Sequence, residues 1–158
     1  MNDLTHIDQN GRPKMVNVGD KPDTERVAVA KGSIYMEPET LARVKAGNMK
    51  KGDVLSVAQT AGIMAAKNTA HSIPMCHNLF ITGIDMDFIL DEEKSAVHIE
   101  ACASTKGKTG IEMESLHAVA VAALTIYDMC KAVDRKMRIT DIRLTKKTGG
   151  KSGLFEIE

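Results

Sequence analysis

The chain has 158 residues, 43% apolar and 27% charged, which suits one globular domain and excludes a disordered chain. Lys+Arg and Asp+Glu stand at 21 each, so no global charge draws it to a long polyanion or an anionic membrane. Aromatic residues reach only 3%, with no Trp, too few for the stacking platforms of a single-stranded nucleic-acid module.

Residues 1–25 are polar, carry Pro13 and Pro22, and read as an extended N-terminal arm; residues 26–158 read as a single domain. Residues 26–36 alternate around Gly32-Ser33 and predict a strand bulged near Lys31–Ser33. Pro38 suits the first turn of a short helix that Gly47 ends. Asp53 is a good N-cap for a helix running to Ser72, with Val54, Val57, Ala58, Ala61, Met64 and Ala65 at helical spacing. Gly62 within it implies close approach of another backbone, and Ile73 before Pro74 stops it.

Residues 81–90 and 95–105 alternate in hydrophobicity across a short acidic turn and predict an antiparallel hairpin with one wet face. Ile84, Met86, Phe88 and Leu90 fall on one side, Asp85 and Asp87 on the other. A long helix follows residues 106–110. Its centre, from Ala118 to Ile126, is apolar almost all round, so it needs cover on more than one side and suggests a subunit interface. The last long strand slips its apolar parity at Asp141, which predicts a bulge there. Residues 153–158 close as a short edge strand. This order indicates an α+β fold: a ferredoxin-like antiparallel sheet with helices packed on one face.

Charge is uneven along this frame. Residues 79–100 carry an acidic excess and residues 131–158 a basic one, which suits a small anionic ligand. Cys76, Cys102 and Cys130 lack C-x-x-C spacing, arguing against a disulfide framework and a structural zinc site. No segment reads as a signal peptide and no apolar run is long enough to span a bilayer, so a cytoplasmic protein without membrane contact is expected.

Several residues can carry chemistry. Lys51 precedes a helix N-terminus, where it can bind phosphate or move a proton, or simply be solvated. Met75-Cys76-His77 follow a proline and offer an imidazole on a loop, or they cover the core. Adjacent Cys76 and His77 do not easily share one tetrahedral centre with His71, so no metal is expected. Glu112 and Glu114 open the long helix, either as dipole complements or as site acids. Asp128 and Lys131, spaced i, i+3, share one surface at its end. The stretch Thr148-Gly149-Gly150-Lys151-Ser152-Gly153 resembles the tail of a P-loop, but Thr145 stands where the first glycine belongs and too few residues follow for the required helix. It remains a basic glycine loop able to lean on an anion. No cofactor fingerprint is present. Together these residues suit proton transfer on an anionic small molecule.

KKGDVLSVAQTAGIMAAK, IPMCHNL, KTGIEMESLHAVAVAALTIYDMCKAVD and KTGGKSG together resemble the cyclic pyranopterin monophosphate synthase family, molybdenum cofactor biosynthesis protein C. The opening LTHIDQNGRPKMVNV looks like that family's N-terminal arm, and the likeness covers essentially the whole chain. It implies a lyase that converts (8S)-3′,8-cyclo-7,8-dihydroguanosine 5′-triphosphate, made by a partner radical enzyme, to cyclic pyranopterin monophosphate with release of diphosphate. It implies a ferredoxin-like subunit in a homohexamer, a trimer of dimers with active sites at subunit interfaces. By matching motif, Lys51, Lys131 and Asp128 resemble the catalytic set. Met75, Cys76, His77, Met113 and Glu114, with Glu112 beside them, resemble the substrate-contacting set. Arg26 and Lys147 match basic positions suited to the triphosphate, Lys147 reaching it either within its own subunit or across an interface. One departure is Asn78, where the family loop more usually has proline; it loosens the backbone after His77. The competing reading is a non-catalytic oligomeric sensor of an anionic nucleotide-like ligand, which would have no need of proton-transfer groups beside a phosphate grip.

Overall fold

A computed structural model describes residues 7–157. Residues 4–6 of the family-like arm, and Glu158, lie outside them. The elements in chain order are β1 (Thr24–Tyr35), α1 (Pro38–Lys45), α2 (Val54–Lys67), α3 (Thr69–Ser72), β2 (Ile81–Asp91), β3 (Ala96–Gly107), α4 (Glu112–Cys130), β4 (Arg138–Thr148) and β5 (Phe155–Glu156).

The sheet order is β2-β3-β1-β4-β5, every neighbouring pair antiparallel. The first four strands have the ferredoxin-like arrangement expected from the β-α-β-β-α-β order. Alternation decides which face of the sheet is dry. In β3, Val97, Ile99, Ala101 and Ala103 are buried while His98, Glu100 and Cys102 lie on the opposite face. β1 and β3 pair without interruption, but β1 and β4 shift register between Lys31 and Ser33, opposite the predicted bulge at Asp141, whose φ is 57°. On the polar face, His98 donates from Nε2 to Asp91 (3.2 Å) and lies 2.8 Å through Nδ1 from the buried Ser33 hydroxyl. That network joins β1, β3 and the hairpin, satisfying a partly buried histidine.

α4 lies across the dry face against β1, β3 and β4, and α2 packs on α4. Ala118, Val119, Ala122, Ala123 and Ile126 are fully buried, so the apolar centre of the helix is covered from two sides within one chain. Leu124 is left 59% exposed on the third side. Gly62 makes the α2–α4 approach possible: a Cβ there would run into the Met86 thioether and stand 3.0 Å from the Ala118 carbonyl.

Two sequence expectations are corrected here. The helix predicted from 54 to 72 breaks at Asn68, whose side-chain amide donates to the Met64 carbonyl (2.8 Å) and diverts the turn before α3. The buried stripe of α2 is Val54, Ala58, Gly62, Ala65 and Ala66, not one through Val57 and Met64, which are 44% and 50% exposed. Small residues face α4 because the two backbones must come close. The larger ones are displaced outward and left exposed.

Candidate active site

Two groups of polar side chains sit at opposite ends of α4. At its N-terminal end, the loop leaving α3 brings Met75, Cys76 and His77 against Glu112, Met113 and Glu114, with arm residues Val16, Val18 and Lys21 completing a cleft of about 260 Å³. His77 donates from Nε2 to the Val16 carbonyl at 2.6 Å. Glu114 is only 4% exposed, and burial, assisted by the charge of Glu112, raises its carboxyl from an ordinary 4.5 to about 7. Burial, with a smaller contribution from the charge of Glu114, also pushes the Cys76 thiol up.

A second cleft, of about 630 Å³, adjoins the first and shares Lys21, Thr109, Gly110 and Glu112 with it. Five cations line it: Lys21, Arg26, Lys108, Lys147 and Lys151. Glu112 accepts a hydrogen bond from Lys147 Nζ at 2.8 Å, tying α4 to β4. The Arg26 Nε donates to the Gly107 carbonyl at 3.0 Å. The glycine loop wraps the arginine: Gly149 and Gly150 have φ of 89° and 71°, and a Cβ on Gly150 would run into the guanidinium. The glycines of the false P-loop therefore leave room for the arginine and turn the chain left-handed.

At the other end of α4, Asp128 holds two ammonium groups. Lys131 Nζ is 2.6 Å from Oδ1 and Lys51 Nζ is 2.7 Å from Oδ2, with a further bond from Lys51 to the Asp128 carbonyl at 3.0 Å. The hydrogen bonds from Lys131 and then Lys51 hold the carboxyl down at about 2. The i, i+3 spacing of Asp128 and Lys131 forms the predicted facing pair, and the loop before α2 delivers Lys51. The expected anion seat at the α2 N-terminus is already taken. Asp53 accepts from the Leu55 and Ser56 amides at 3.1 Å, so Lys51 turns to Asp128 instead.

Glu112 and Asp128 are 16 positions apart on one helix, or about 24 Å by helical rise. Within one chain, then, the cleft at the start of α4 and the Lys–Asp–Lys set do not meet. Sequence reasoning missed Lys21, Val16 and Val18, because an irregular arm has no periodicity to mark its inward side. It missed Lys108 for a similar reason. The basic glycine loop, read as able to lean on an anion, brings Lys151 and Ser152 to the cationic cleft. Among the described residues, no three His, Cys, Asp or Glu side chains are grouped to hold a metal ion, and no helix is long and apolar enough to cross a membrane.

A ferredoxin-like α+β chain with a cation-lined cleft, a buried carboxyl and a separate exposed Lys–Asp–Lys cluster defines a class of protein equipped for a multiply anionic small molecule. Residues 15–150 match the MoaC family, and the chain belongs to that family. It is 64% identical over 155 residues, 98% of each chain, to the cyclic pyranopterin monophosphate synthase of Thermoanaerobacter sp. (strain X514). It is 60% identical over 156 residues to the synthase of Peptoclostridium acidaminophilum, covering 99% of this chain and 98% of the relative. Identity to the synthase of Dinoroseobacter shibae is 57% over 158 residues, the full length of both.

Proposed function

We propose that this chain is a lyase of molybdenum cofactor biosynthesis that converts (8S)-3′,8-cyclo-7,8-dihydroguanosine 5′-triphosphate to cyclic pyranopterin monophosphate and diphosphate. The reading rests on full-length similarity to proteins named for that product. The geometry supports it chemically. Forming a cyclic monophosphate from a triphosphate requires a hydroxyl to attack the α-phosphorus while diphosphate leaves. Arg26, Lys147 and Lys21 compensate the phosphate charge. Met75, Cys76, His77, Met113 and Glu114 contact the heterocycle. Glu112 holds Lys147 toward the phosphates until the anion takes over the lysine.

Lys51 and Lys131 transfer protons as the rings open and reclose. Asp128 stays ionised and holds both ammoniums in place. Because these groups stand about 24 Å from Glu112 by helical rise, a single small substrate meets both sets only if they come from different subunits. We read that assembly, in line with the family resemblance, as a homohexamer built as a trimer of dimers, working in the cytoplasm downstream of the radical enzyme. Val57, Met64 and Leu124, each exposed, provide apolar area for subunit contact.

The test is turnover of the cyclised triphosphate, followed by diphosphate release and by pterin fluorescence after oxidation. Binding of this substrate by folded protein without any turnover would establish the sensor instead. Mixed assemblies sharpen the result: Asp128→Asn and His77→Ala subunits are each inactive alone, and co-assembly restores part of the activity only if one site draws on two chains.

A further inference from the structure

One wall of the cleft comes from the N-terminal arm, which has no regular secondary structure of its own. Val16, Val18 and Lys21 of the arm supply it, and two fasteners hold that segment down. One is the His77 bond to Val16, whose donor stands in the substrate-contacting set. The other is Lys108, at the start of the loop between β3 and α4. Its ammonium donates to the Gly19 carbonyl at 2.8 Å and to the Lys21 carbonyl at 2.7 Å. Two of its three protons are thereby committed to backbone acceptors, and the side chain is partly buried beneath the arm. Gly19, Asp20 and Lys21 form a turn whose two outward carbonyls converge on one cation, and Gly19 N in turn is capped by the Asn17 side chain at 2.8 Å. No other side chain among the described residues is hydrogen-bonded to these two carbonyls.

We propose that Lys108 is a positioning residue for the reaction. It acts through the arm, clamping residues 19–21 so that Val16, Val18 and Lys21 stay on the wall of the cleft, and it does not itself grip the substrate. This rests on the function proposed above for the cleft, while the clamp itself is testable without turnover. A charge-assisted bond to a carbonyl is stronger than a neutral one, so losing two of them frees a segment that has no regular secondary structure to retain it.

The experiment compares wild type with Lys108→Met, which keeps the stem and loses the donors, and Lys108→Arg, which keeps donors. Trypsin cleavage after Lys14 in the free protein is timed by mass spectrometry, and binding of GTP, the uncyclised parent of the substrate, is measured by calorimetry. In Lys108→Met the arm is cleaved at least about five-fold faster, because cleavage follows the population of the open form. GTP then binds roughly five- to ten-fold more weakly, since the wall must be re-ordered on binding. With the true substrate KM rises while kcat stays within about two-fold, and Lys108→Arg restores arm protection and affinity. Weakened GTP binding with unchanged arm cleavage overturns the inference in favour of direct contact by Lys108. Faster arm cleavage with unchanged GTP affinity also overturns it, because the arm would then do nothing for the site. Should the wild type bind GTP but turn nothing over, the lyase reading fails while the clamp still stands or falls on these two measurements.

Discussion

Glu114 and Asp128 are carboxylates on the same helix, and their surroundings drive them in opposite directions. Glu114, in the first turn, is buried with another carboxylate nearby, and its acid is raised to about 7. Asp128, in the last turns, is exposed between two ammoniums and falls to about 2. The first keeps its proton well above the ordinary carboxylate range, and the second is ionised under all ordinary conditions. In the proposed reaction, a heterocycle is recognised through hydrogen bonds, for which a carboxyl that can donate as well as accept is useful. The lysines proposed to transfer protons need a permanent counter-charge to fix their position. One helix thus carries both environments and separates them.

The strongest way to break this contrast is at its exposed end. Asp128→Asn leaves both lysines unanchored, and turnover is expected to fall roughly 10²–10⁴-fold in steady-state assays. Because the residue is exposed, the melting midpoint should barely move; unchanged turnover would remove Asp128 from the site. Next in size is the rod between the two ends. Ile126 is fully buried, and Ile126→Ala should cost about 2–5 kcal/mol in denaturant unfolding. Gly62→Ala pushes α2 off α4 against the Ala118 carbonyl and should cost about 1–3 kcal/mol by the same measurement.

The smallest effect is a matter of pH. Between its ordinary 4.5 and about 7, the folded protein retains the Glu114 proton that the unfolded chain releases. Stability therefore falls as pH rises through that window. Glu114→Gln lacks this penalty, so its melting midpoint relative to wild type should be higher near pH 8 than near pH 5, a difference set by the same linkage. A gap independent of pH would show that Glu114 is ionised throughout.

Alternation and capping made the fold legible in advance. The hairpin, the bulge at Asp141, the Asp53 cap and the close approach at Gly62 each follow from a local rule that the packing respects. The rotated stripe of α2 was not legible, because apolar spacing leaves open which of two neighbouring apolar faces is the inner one. Here the tight contact with α4 selects Ala58, Gly62 and Ala65 over Val57 and Met64.

The candidate site divides in the same way. Asp128 and Lys131 could be paired from their spacing alone, since a helix turns i and i+3 to one side. Lys51 joins them only because the sheet, α4 and α2 bring a residue 77 positions away to the same carboxylate. The arm and the Lys108 loop carry no periodicity, so only their tertiary contacts reveal that they wall one cleft. Residue types and periods therefore determined the elements and the chemical repertoire of this protein. Tertiary packing decided which groups share a surface and which stand a helix-length apart, because long-range proximity and desolvation do not exist until the chain has closed.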